Sequence, residues 1–128
     1  MINIILPIVL AMLAGVCKAA ADIMQHHFDT SIFSKYKSKF FNIDGSNKYK
    51  NGDPAQGRKY LAMFDGFTDA WHVASNSVPG LLLILALLPV PDYPLNDFLD
   101  AIITYFVLWI LFIETFNLFY NHIFKLNK

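Results

Sequence analysis

Only one cysteine, Cys17, occurs in the 128 residues, so no intrachain disulfide can brace the fold. Charge is scarce too: Asp, Glu, Lys and Arg make up 16%, where an ordinary soluble domain carries about 25%. Ten bases cancel ten acids, which removes the broad positive field of a nucleic-acid binder. There is no P-loop, no GxGxxG and no Ser-His-Asp order, so nucleotide binding and serine hydrolysis find no support. No repeat exceeds the Lys-Tyr-Lys triplets at Lys35–Lys37 and Lys48–Lys50, which excludes a solenoid. Hydrocarbon is what the chain has in plenty. Hydrophobic residues reach 55% and the mean hydropathy is +0.41, too apolar for disorder, and the length allows one domain.

The apolar residues fall in three segments. The first is expected as a helix over about 2–28. It is uncharged from Ile4 to Cys17 and ends on Lys18, whose stem can snorkel to an interface. No basic residue precedes it, so a retained span is expected rather than a cleaved signal. The second segment centres on 80–90 and is too short to cross a bilayer by itself. It reaches spanning length if the helix begins near Tyr60, takes in Asp65, Asp69 and His72, and kinks at Pro79 on its way to residue 88. The third is expected over 97–124. Thirteen uncharged residues, Ala101 to Ile113, form its centre, and Asn96 or Asp97 is a suitable N-cap. The fold class expected is all-α: an integral membrane protein, one domain over 1–128, with three transmembrane helices.

Orientation follows from the bases. Lys35, Lys37, Lys39, Lys48, Lys50, Arg58 and Lys59 all lie in the connection over 30–59, and Lys125 and Lys128 follow the third segment. The short connection before Asp97 has none. By the positive-inside rule the long loop and the C-terminus face the cytoplasm, with the N-terminus outside. Phe33, Tyr36, Phe40, Phe41 and Tyr49 are threaded among these bases. Lys48, Lys50, Arg58 and Lys59 are the expected contacts to anionic lipid head groups, although a loop that only fixes topology would look the same. Asn51-Gly52-Asp53-Pro54 and Gln56-Gly57 predict an ordered turn within it.

The polar residues at the cytoplasmic ends of the helices carry the functional expectation. Asp22 and His26 are four apart. Asp65, Asp69 and His72 fall at i, i+4 and i+7, and Glu114, Asn117 and Asn121 at i, i+3 and i+7. Ionisable groups within a membrane normally face a bundle interior or a cavity. If these faces meet, Asp22, His26, Asp69, His72 and Glu114 form a carboxylate and imidazole set suited to zinc, iron or manganese. Asp65, Asn117 and Asn121 would then hold those ligands by hydrogen bonds. Three readings stay open: a divalent-metal centre for hydrolytic or redox chemistry on a membrane-bound substrate, a non-catalytic subunit or pore-forming oligomer held by the polar stripe, and a proton or ion path through Asp69, His72 and Glu114.

Asp22-Ile23-Met24-Gln25-His26-His27-Phe28, together with Asn47-Lys48-Tyr49-Lys50-Asn51-Gly52-Asp53-Pro54 and Thr68-Asp69-Ala70-Trp71-His72, resembles small integral membrane proteins of Bacteroidetes-type bacteria and their phages. The resemblance covers about half the chain. It implies a bacterial inner membrane. It carries no activity. The expected partners are the bilayer and a homo-oligomer or membrane complex, because three helices enclose little and small or polar faces drive helix association in lipid.

Overall fold

The computed structural model describes residues 4–36, 39–41, 49–61, 67–89 and 96–126. Three α-helices dominate: α1 (Ile5–His26), α2 (Ala70–Leu87) and α3 (Asp97–Leu118), the last running on through a π-helical turn, Phe119–Ile123. All three are long and apolar enough to cross a membrane. At 1.5 Å per residue, the 22 residues of α1 and α3 reach about 33 Å and the 18 of α2 about 27 Å, near the roughly 30 Å of a hydrocarbon core.

α1 lies between the other two and packs against both. Its sequence is suited to that place, because small residues let neighbouring backbones approach. Ala11, Gly15 and Ala19, spaced by four, are buried, as are Ala14 and Ala21. The closest approach is at Gly15, where a β-carbon would stand 2.6 Å from the carbonyl oxygen of Phe112 and 3.1 Å from Thr115 Cβ. Toward α2, Ala21 and Met24 pack on Ala70 and Ala74; toward α3, Ala19 and Ile23 pack with Phe124, Phe116 and Phe119. At the far end Leu10, Ala11, Leu85 and Leu108 close the bundle. Much of the rest faces outward: Leu83, Ile84 and Leu87 on α2, and Ile102, Phe106 and Trp109 on α3, are exposed. In water such a surface would drive aggregation, whereas hydrocarbon solvates it.

The segment after α1 is tied to the end of α3. Ser31 and Lys125 form an isolated antiparallel bridge, with Ile32 N–H donating to Phe124 O at 2.8 Å and Leu126 N–H donating to Thr30 O at 2.7 Å. The long connection and the C-terminal residues therefore sit at the same end of the bundle, as three alternating passes require. Phe33, Phe41 and Phe124 add an aromatic plug there, with centroid separations of 5.8 Å for Phe33–Phe41 and 5.0 Å for Phe33–Phe124.

The boundaries differ most at α2. The sequence predicts a start near Tyr60, yet the helix begins at Ala70, and Tyr60 and Leu61 are not helical. Asp69 is extended (φ −148°, ψ 165°) and its carboxylate caps the helix. An Asp there stops the helix from extending backwards, because its side chain takes the N–H groups that a preceding turn would have used. Asp65 lies outside the described residues. Pro79 is inside α2, which continues through it to Leu87. The first and third helices keep to the expected spans within a few residues.

The turn signals in the loop form a small closed unit. Tyr49 and Arg58 pair in a bridge and Lys50 N–H donates to Gly57 O at 3.1 Å. Asn51 (φ 53°) and Gly52 (φ 79°) take left-handed conformations, which Asn and Gly tolerate. Asp53 caps the following turn through Ala55 N–H at 2.9 Å.

Candidate functional site

The ligand set expected from the sequence separates into distinct places. Asp69 and His72 come together. The buried Asp69 carboxylate accepts from His72 N–H at 2.9 Å and from the ring Nδ1–H at 2.9 and 2.8 Å. A cap residue and the third residue of its helix are near neighbours, so the contact follows from local geometry. Since a carboxylate only accepts, Nδ1 carries the proton and Nε2 is left as the available ring nitrogen. The ring of Trp71 meets that of His72 edge-on, at 4.7 Å between centroids.

Asp22 is elsewhere. Its partner is Lys18, one turn earlier on α1, in an ion pair at i, i+4. His26 is exposed at the end of α1. Glu114, Asn117 and Asn121 are all exposed on α3 and its π-helical extension, away from the faces of α1 and α2. Among the described residues, no three of His, Cys, Asp and Glu are grouped as a metal ion requires. Of the expected head-group contacts, Lys50, Arg58 and Lys59 lie on the exposed turn, with Lys59 Nζ 5.5 Å from the centre of the Tyr60 ring; Lys48 lies outside the described residues.

Two features escaped the sequence reading. The first is the row of small residues on α1, whose signal is the Ala11-Gly15-Ala19 spacing. The second is an outward seam on α3. Ile103, Val107 and Ile110 are exposed and continue the line of Glu114, Asn117 and Asn121. Successive steps along it are 4, 3, 4, 3 and 4 residues, the heptad spacing by which one helix meets another over a long contact. Its N-terminal half is β-branched hydrocarbon and its C-terminal half is polar.

Depth decides how to read Glu114. The helical stretch Asp97–Ile123 has its middle at residue 110, and Glu114 stands about 6 Å beyond it. If that stretch is centred in a bilayer, Glu114 falls inside a hydrocarbon half-thickness of roughly 15 Å, where a charged, lipid-exposed side chain costs several kcal/mol unless it is paired.

No family model, no curated protein and no solved structure matches this chain.

Proposed function

We propose that the chain is a non-catalytic helical subunit of a bacterial inner membrane, with its N-terminus outside and its C-terminus cytoplasmic, and that it pairs with a second copy through the outward seam of α3. The observation that carries this reading is the exposure of Glu114 at hydrocarbon depth, in line with Asn117 and Asn121. Two copies inserted in the same direction bring equal depths together. Parallel α3 helices crossing about a twofold axis then set Ile103, Val107 and Ile110 against their counterparts. Glu114 meets its copy, where one protonated carboxyl donates to the other, and the Asn side chains donate and accept across the seam. Polar residues at such positions fix register as well as affinity.

Lys50, Arg58 and Lys59 on the exposed turn give the cytoplasmic end its attraction to anionic lipid, each worth about 1 kcal/mol near such a surface. A divalent-metal site takes second place, because its support is the Asp69–His72 pair with no third described ligand beside it.

The proposal is tested by oligomeric state in bilayers for two substitutions. Glu114→Gln keeps a donor and an acceptor and leaves the dimer nearly intact. Glu114→Leu removes both and shifts the protein to monomer. A dimer lost in Glu114→Gln, or equally stable in Glu114→Leu, contradicts the reading.

A further inference from the structure

A second polar feature lies between α1 and α2 and belongs neither to the α3 seam nor to the Asp69–His72 pair. Lys18, Ala21, Asp22 and Gln25 on one side and Trp71, Ser75, Val78 and Pro79 on the other line a cavity of about 280 Å³. Its walls combine a cation, an anion, an amide and a hydroxyl within membrane-spanning helices. Lys18 and Asp22 neutralise each other, yet their side chains keep 44% and 24% of their exposure, so both heads remain accessible. Pro79 has no N–H to give the carbonyl of Ser75, one turn back, and both Ser75 and the ring of Trp71 line the same cavity.

We infer that this cavity binds a zwitterion that joins an anionic oxygen group to a primary ammonium, the chemistry of a phosphoethanolamine head group. Charge balance selects that class. A purely anionic ligand would take Lys18 from Asp22 and strand the carboxylate in low dielectric; a purely cationic one would strand Lys18. A ligand with both signs exchanges one ion pair for two. Its anionic oxygens meet the Lys18 ammonium and the Gln25 amide, and its ammonium donates to Asp22 and to an oxygen of Ser75. A quaternary ammonium has no N–H to donate, so a choline head group fits less well. Position selects the lipid: Asp22 is about 10 Å past the middle of α1, toward the end that carries the long connection, and so about 5 Å short of one leaflet's head-group boundary.

The test uses the full chain with Trp109→Phe, which leaves Trp71 as its one indole, in phosphatidylcholine nanodiscs doped with phosphatidylethanolamine. Trp71 emission is expected to change saturably with the ethanolamine lipid and not with phosphatidylglycerol. Asp22→Asn is expected to weaken the apparent affinity about tenfold, the loss of one charge-assisted hydrogen bond. Because a lone Lys18 in Asp22→Asn can impair insertion, the neutral pair Lys18→Gln with Asp22→Asn is run beside it, with helix content read by circular dichroism. That variant is expected to fold and to lose the response. Soluble phosphoethanolamine added in detergent separates the sources: an equal response assigns the site to the head group alone, and a response only to the lipid assigns it to head group and chains together. Equal responses to phosphatidylethanolamine and phosphatidylglycerol, or an undiminished response in the folded double variant, overturn the inference.

Discussion

The carbonyl oxygen of Phe112 stands where Gly15 has no side chain: a β-carbon on Gly15 would lie 2.6 Å from it. Both partners in that contact are backbone, so neither can turn aside as a flexible side chain would. The approach of α3 to α1 is therefore set at this point by the absence of a methyl group. Gly15→Ala is expected to push the helices apart and to cost about 1–3 kcal/mol, the range for overpacking a close contact. Leu13 is exposed on α1, and Leu13→Ala is expected to change stability by about 0.5 kcal/mol or less. Unfolding in mixed detergent micelles, followed by circular dichroism, compares the two. Equal midpoints for Gly15→Ala and the parent would contradict the close packing.

Asp69 is the start signal of α2, and its loss is expected to be felt there first. Asp69→Ala removes the acceptor for His72 N–H and for the imidazole, at a cost of about 0.5–2 kcal/mol. Asp69→Asn keeps a carbonyl oxygen for the backbone N–H and recovers most of that loss. Hydrogen exchange of the first turn of α2 reads the difference. The same preparations decide the metal question: elemental analysis of the purified parent is expected to find no stoichiometric zinc, iron or manganese. One metal per chain that disappears in Asp69→Ala would restore the carboxylate and imidazole set to first place.

Much of the architecture is legible in the sequence because membrane-spanning length is a crude but strong signal. The uncharged runs ending at Cys17 and beginning at Ala101 locate α1 and α3 within a few residues. α2 is harder, since Asp65, Asp69 and His72 fit a helical face on paper. A helical period cannot tell an Asp within a helix from an Asp that caps one, and the second is what Asp69 is. The expected site fares in a similar way. Shared faces within each helix are readable from spacing, but the rotation of one helix about its axis relative to the others is not. That rotation turns Glu114 outward. The small residues of α1 explain it: Gly15 and Ala19 admit the face of α3 that carries Phe112, Thr115 and Phe116, and this leaves Glu114 on the far side. Spacing alone suggests a common centre for Asp22, although Lys18, four residues earlier, is its nearer partner.

Topology gives an independent prediction. With Cys17→Ser as background, a cysteine introduced by Asn51→Cys, on the exposed turn of the long connection, is expected to react with a membrane-impermeant maleimide in inverted vesicles and not in intact cells. Asn96→Cys, at the start of α3, is expected to show the reverse. Labelling of Asn51→Cys in intact cells would invert the orientation and move the basic loop away from the cytoplasm.

The most direct test of the proposed pairing is a disulfide scan along α3 in the Cys17→Ser background. Single cysteines replace Ile102, Ile103, Phe106, Val107, Trp109 and Ile110 in turn, all of them exposed. Oxidation in the bilayer is expected to give cross-linked dimers at 103, 107 and 110, the positions on the seam, and little at 102, 106 and 109. Cross-linking that is uniform along the helix, or strongest at 102, 106 and 109, would contradict a partner on the face of Glu114.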